Sequence, residues 1–300
     1  MVGASFAYAL MQRGLANELV LIDANAARAE GEAMDLNHGL PFVRPMRIYA
    51  GDYADLAGCA VVVIAAGANQ RPGETRLDLL QRNAAIFRTI VPQVVAANPD
   101  GIITIATNPV DILTHISAET SGLPPGRVIG SGTILDTARF RYLLGEHYRV
   151  DPRSVHAYIV GEHGDSELAL WSLANIAGVR LRDFVGGSGQ GYDQDAMATI
   201  FEQTRTAAYA IIQRKQATYY AIGLGLQTIV EAVLGDQHTV LTVSSPMHGQ
   251  YGVADISLSL PTIVGRQGIE EVLALPISDE EQAAFQRSAQ TLRERLTLLV

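Results

Sequence analysis

The chain has 300 residues, 48% of them hydrophobic, which is enough for one large or two ordinary domains with real cores. A formal charge of -9, with only 22 Lys and Arg and no basic run, argues against nucleic acid or an anionic membrane as the main partner, yet leaves room for a small anionic substrate gripped by a few arginines. The single cysteine, Cys59, makes neither an internal disulfide nor a multi-thiolate metal site, so the composition points to the reducing cytoplasm and to no metal centre. The N-terminus has no basic n-region, and its apolar residues are broken by Gln12, Arg13 and Gly14, unlike a secretory signal. No run approaches the ~20 apolar residues of a spanning helix.

In chain order, SFAYALMQRG reads as a helix ending at Gly14 and ELVLID at 18–23 as a strand. ARAEGEAMDL follows as a helix, MRIYA as a short strand, and CAVVVIAAG at 59–67 as a buried strand. LDLLQRNAAIFRTIVPQVVAA is a long helix and GIITIAT a further apolar strand. This alternation predicts a Rossmann-type, doubly wound parallel sheet with helices on both faces. After about residue 130 the rhythm changes. A helix at TARFRYLLGEHY leads to strands near VHAYIVG, a helical region across 192–234, two alternating strands in TVLTVSS and VADISLSL, and a closing charged helix over 279–297. GGSGQG at 186–191 reads as a surface loop. The domains are therefore expected at 1–130, binding a dinucleotide, and 131–300, a mixed α+β substrate domain.

The N-terminus raises a question. A dinucleotide fingerprint needs a strand, then G-x-G-x-x-G, then a helix, with an acid about 20 residues on for the adenosine ribose. Met1, Val2 and Gly3 fit its last three positions, and Asp23 stands 20 residues after Gly3 at the end of a strand. The first strand and the first two glycines are missing. This pattern predicts a truncated reading of the gene, with roughly ten upstream residues supplying an apolar strand and G-x-G.

The segments AGANQRPGETR (66–76), TNPVD (107–111), GSGTILDTARFR (130–141) and VGEHGDSE (160–167), in this order and spacing, resemble the L-lactate dehydrogenases of bacteria. KQATYYAIG (215–223) and ISLSLP (256–261) extend the resemblance over essentially the whole chain. It implies reversible hydride transfer between NADH and pyruvate giving L-lactate, a step of glycolysis and fermentation. Malate dehydrogenases of the same superfamily share most of these segments.

The residues themselves suit that chemistry. Reducing a 2-keto acid needs a proton donor at the carbonyl, a clamp for the carboxylate and a group that polarises the carbonyl. His163 is the side chain of near-neutral pKa in its motif. A carboxylate from Asp136 against its ring would favour the imidazolium, so that the protonated enzyme takes keto acid and the neutral form hydroxy acid. Asp136 and Arg139 are three apart in a helical pattern and share a face. Arg139 would grip the substrate carboxylate bidentately, which a lysine cannot reproduce. Arg76 lies in a Pro- and Gly-containing segment between a strand and a long helix, which the resemblance identifies as a mobile lid bringing a guanidinium to the carbonyl.

The resemblance assigns further positions. Gln70 stands where malate dehydrogenases carry an arginine for the second carboxylate of oxaloacetate. A neutral glutamine favours pyruvate, since an unpaired buried carboxylate costs several kcal/mol. Arg71 is adjacent, and a register slip of one residue would reverse this preference; Pro72, Gly73 and Arg76 align without a gap and keep Gln70 in the pocket. Thr218 matches the small residue across that pocket, and Asn108 the contact to substrate and nicotinamide. Cofactor contacts fall on Val2, Gly3, Asp23, Arg28, Tyr53, Gly67, Ala68, Thr89 and Asn108, with Asp23 favouring NAD over NADP because it repels a 2′-phosphate.

Arg141, two residues past Arg139, points about 200° away around the helix. In allosteric bacterial members, an arginine and a histidine at the positions of Arg141 and His156 meet across a two-fold axis and bind fructose 1,6-bisphosphate, which implies a homotetramer. Three other readings stay open: malate dehydrogenase, separated by assaying pyruvate against oxaloacetate; an NAD-dependent glycosidase, which would need a metal-binding cysteine that the second half lacks; and an inactive truncated paralogue, separated by NADH binding.

Overall fold

The computed structural model describes residues 1–68, 73, 75–187 and 189–299, without the side chain of Arg76. In chain order the elements are α1 (Val2–Arg13), β1 (Glu18–Leu21), α2 (Ala26–Gly39), β2 (Arg47–Ala50), β3 (Val61–Ile64), α3 (Arg76–Ala97), β4 (Ile102–Ile105), α4 (Val110–Ser121), β5 (Val128–Gly130), α5 (Ile134–Tyr148), β6 (Val155–His156), β7 (Ile159–Val160), β8 (Leu168–Ala169), β9 (Asn175–Ile176), β10 (Val179–Arg180), α6 (Gln194–Lys215), α7 (Tyr220–Leu234), β11 (Thr239–His248), β12 (Ala254–Gly265), β13 (Gly268–Val272) and α8 (Asp279–Thr297).

The central sheet has six strands in the order β13-β12-β11-β5-β4-β3. Its first part is parallel, with Val61 beside Ile102 and Ile103 beside Val128. At β5 the sense reverses, Gly130 pairing antiparallel with Ser244, and the long β11–β12 ladder and β13 continue antiparallel. One sheet therefore runs through both halves of the sequence. Helices cover both faces: Phe87 and Val91 of α3 and Leu113 of α4 pack on Ile103 and Ile105, while Ile229 and Val233 of α7 pack on Ile102 and Ile129. Burying each such side chain contributes about 1.5–3 kcal/mol before chain entropy is counted.

The run 59–67 forms a shorter strand than its sequence suggests, and Val61, Val62 and Val63 are only half-buried. The reason lies in the pairing. β1 and β2 make a separate two-stranded parallel sheet, and β3 is the edge of the larger one, so among the described residues no strand joins β1 to β3. Phe6 and Leu10 of α1 pack against Leu226 and Val230 of α7 beside this gap, with Leu19, Val61 and Val63 partly buried against them. Among the described residues no helix is long and apolar enough to cross a membrane.

A second core gathers Phe140, Leu144 and Tyr148 of α5 with Val155, Ile159, Met197 and Ile200. It fixes α5 against β7, the strand that leads into the segment 161–167. Gly161 begins that segment at φ 88, and a Cβ there would lie 2.8 Å from the Ser288 hydroxyl and 2.9 Å from Leu168 Cδ2. Only glycine takes that conformation without strain. Gly161→Ala is expected to lower the unfolding free energy by about 1–3 kcal/mol in urea titration, through strain at positive φ and displacement of Ser288.

Candidate active site

The first turns of α5 are tied to β7. The Thr133 hydroxyl donates to the Ile159 carbonyl at 2.6 Å, and the Ile159 N–H donates to the Thr137 hydroxyl at 3.0 Å. Asp136 and Arg139 leave the same face of this helix, as their spacing requires, and pair at 2.8 Å. Across from them, His163 sets its Nδ1 against the second oxygen of Asp136 at 2.5 Å. One buried carboxylate thus holds both the imidazole and the guanidinium.

The segment carrying His163 is fixed from three further directions. Gly161 and Ser259 of β12 exchange backbone hydrogen bonds at 2.9 and 3.0 Å. The Glu162 N–H donates to the Ser288 hydroxyl of α8 at 2.8 Å, and the Glu162 carboxylate accepts from Ser166 and from Arg295 of the same helix. The His163 N–H donates at 2.7 Å to Asp111, a fully buried acid in the first turn of α4. Sequence reasoning did not assign Asp111, Glu162 or Arg295. Two of them lie within the motifs TNPVD and VGEHGDSE, and the signal would have been charged residues in segments otherwise read as core.

The electrostatics follow from this packing. Burial alone would strip the proton from His163, but the charge and hydrogen bond of Asp136, with Asp111 behind them, overcome it and push its pKa up to about 9. Burial works to raise Asp136 as well, yet His163 and Arg139 outweigh it and keep this carboxyl below the usual range. Asp111, where burial prevails over its donors, is pushed up to about 6. The ring Nε2 is the nitrogen left for a ligand, so at neutral pH the site presents a proton donor next to a guanidinium. Such a pair can bind a carboxylate and protonate a carbonyl beside it.

At the carboxyl ends of β3 and β4 lies the crevice where open α/β sheets take their ligands. The Ala68 N–H donates to Asn83 at 2.8 Å, and Asn83 donates to the Asn108 carbonyl at 3.1 Å, which joins the two strand ends. A Cβ on Gly67 would lie 2.5 Å from the Thr107 methyl, so glycine lets these ends approach. Val2 and Gly3 open α1 at the same end, Gly3 facing Ala65. Asp23, just past β1, is exposed and accepts only the Asn25 N–H among the described residues, which leaves acceptor capacity for ribose hydroxyls. Arg28 follows in α2, Tyr53 is half-buried, and Thr89 is exposed on α3. These groups fit a dinucleotide. Thr218 lies in the break between α6 and α7. Gln70 falls outside the described residues, as does the side chain of Arg76, the first residue of α3.

Arg141 lies on the other side of α5. Its Nε donates to the Ala157 carbonyl at 2.9 Å, its guanidinium sits 5.2 Å from the centre of the Tyr158 ring, and His156 is exposed on the adjoining strand.

Residues 1–130 match the NAD binding domain of the lactate/malate dehydrogenases, and residues 133–300 match their alpha/beta C-terminal domain. The chain belongs to the lactate/malate dehydrogenase family, and NAD is its cofactor. Its relatives include the L-lactate dehydrogenase of Acetivibrio thermocellus, 54% identical over 99% of this chain and 94% of that one, and the L-lactate dehydrogenase of a Thermoanaerobacter strain, 53% identical over 97% and 94%. Among solved structures, the minor L-lactate dehydrogenase of Enterococcus mundtii superposes with a TM-score of 0.96 at 44% identity, covering 100% of this chain and 95% of its own. A lactate dehydrogenase from a deep-sea metagenome of the Medee basin gives a TM-score of 0.96 at 43% identity over 99% and 95%.

If Asp136 is what keeps His163 charged, Asp136→Asn leaves burial as the dominant influence. The imidazole titration, followed by NMR, is expected to move from about 9 to below the ordinary 6.5.

Proposed function

We infer that the chain is an NAD-dependent L-lactate dehydrogenase that interconverts pyruvate and L-lactate. The observation that carries this is the buried Asp136 holding His163 at 2.5 Å and Arg139 at 2.8 Å, in a chain whose relatives are L-lactate dehydrogenases. Bound NADH supplies the hydride. His163 gives its proton to the oxygen of the keto group and takes it back in the reverse direction. Arg139 turns from Asp136 to the substrate carboxylate, an exchange that leaves Asp136 to the imidazolium. Arg76 is assigned the polarisation of the carbonyl and Asn108 the orientation of the substrate, while the neutral Gln70, with Thr218, favours the methyl of pyruvate over a second carboxylate. Val2, Gly3, Asp23, Arg28, Tyr53, Gly67, Ala68, Thr89 and Asn108 would hold the cofactor. Residues 1–130 hold NAD and residues 131–300 the substrate, in the cytoplasm.

The regulatory reading rests on Arg141 of α5, bonded to the Ala157 carbonyl, and on exposed His156 of β6 next to Ala157 in the chain. Fructose 1,6-bisphosphate between two copies of this surface would favour one quaternary state. A homotetramer is further supported by exposed apolar residues on neighbouring helices, Tyr209 and Ile212 on α6 and Tyr220 and Leu224 on α7.

The purified enzyme is expected to oxidise NADH with pyruvate well above its rate with oxaloacetate, and His163→Ala to lose about 10²–10⁴-fold in turnover while still binding NADH. Preference for oxaloacetate, or full turnover in His163→Ala, contradicts the assignment. Fructose 1,6-bisphosphate is expected to lower the pyruvate KM, and Arg141→Gln to abolish that response. An unchanged KM and an unchanged assembly state in the native enzyme would remove the regulatory part.

A further inference from the structure

One acid beside the site has no role in the mechanism above. Glu167 is 7% exposed, and its Oε1 is buried without a hydrogen-bond partner among the described residues. Its carboxyl, that of Asp136 and the His163 ring each bring an atom within 4.8 Å of the others. Among the described residues the charged groups facing it are Asp136 and Arg139 from α5, His163 from its own segment and Arg205 from α6. Arg205 is committed to Glu202 through hydrogen bonds of 2.8–3.1 Å, so it reaches Glu167 only through space.

A buried carboxylate whose Oε1 has no donor among the described residues, close to a second carboxylate, is costly to ionise. Among the described residues Asp136 has two cationic partners at hydrogen-bond distance, and Glu167 has none. Of the two acids, Glu167 is the one that keeps its proton. We propose that Glu167 is a charge-setting, positioning residue of the reaction: held as the neutral acid beside the Asp136–His163 pair, it spares the site the excess negative charge that would repel the substrate carboxylate. Burial, reinforced by Asp136 against the pull of His163, Arg139 and Arg205, places the carboxyl at about 9, in agreement with the geometry.

The consequence is a second proton. With Glu167 neutral, Arg139 and His163 balance Asp136 and Asp111, and the pyruvate carboxylate meets no excess of negative charge. Ionising Glu167 adds one. Binding of pyruvate therefore needs Glu167 and His163 protonated together, two coupled sites that titrate in the same range. This inference rests on the assignment of His163 as proton donor.

The test is the alkaline limb of kcat/KM for pyruvate at saturating NADH. The native enzyme is expected to fall by about two decades per pH unit above both titrations, and Glu167→Gln by about one. Should Glu167→Gln not fold, proton uptake on binding oxamate, a non-reducible pyruvate analogue, reads the same quantity in the native enzyme. Near pH 10 it is expected to approach two protons per site, where His163 alone supplies at most about one. A one-decade limb in the native enzyme, equal limbs in native and Glu167→Gln, or uptake of about one proton or fewer overturns the proposal. The two readings fail separately: retained turnover in His163→Ala removes the donor assignment, whereas lost turnover there with a one-proton native limb removes Glu167 alone.

Discussion

The site depends on keeping one half-buried imidazole charged. Its loss of water would make His163 shed its proton unless a carboxylate were fixed against it, and Asp136 serves because its helix and the His163 segment are tied together. Thr133 and Thr137 lock α5 to β7, Ser259 holds Gly161, Asp111 holds the His163 amide, and Ser288 with Arg295 holds Glu162. These anchors come from α4, α5, β12 and α8, of which α4, β12 and α8 also supply much of the core around Phe285, Ile112 and Leu258 and α5 the core around Phe140. Packing and proton affinity are therefore coupled: what loosens the core around α8 also loosens the grip on the imidazolium.

The same helix divides its work by angle. Asp136 and Arg139 face the active site, while Arg141 is drawn to the other side by the Ala157 carbonyl and the Tyr158 ring. A rotation or shift of α5 would move both sets together. That is the mechanical requirement for a ligand on the Arg141 side to be felt by Arg139, and it needs no long chain of intermediates.

Much of this was legible in the sequence, because local patterns cause it. The β–α rhythm of the first half and the helix at 279–297 follow from periodicity, and the shared face of Asp136 and Arg139 follows from helix geometry. Other features depended on distant contacts. α4 carried no amphipathic stripe to find, since Val110 through Ser117 are buried all round. β13 is short and carries two adjacent glutamates, so only its pairing with β12 defines it. Val61–Val63 read as buried core but sit at a sheet edge, because burial depends on which strand lies alongside. Asp111 and Glu167 were passed over because an acid's neighbours, not its position in a motif, decide what it does.

The claim that the His163 segment is immobilised can be measured without any substrate. Hydrogen exchange of the Glu162 and His163 amides reads the two anchors directly, one bonded to Ser288 and the other to Asp111. The account predicts that both exchange only through global unfolding, as slowly as amides of the central strands β4 and β12. Exchange at the rate of ordinary surface loops would contradict it, and would mean that the imidazolium is held by Asp136 alone.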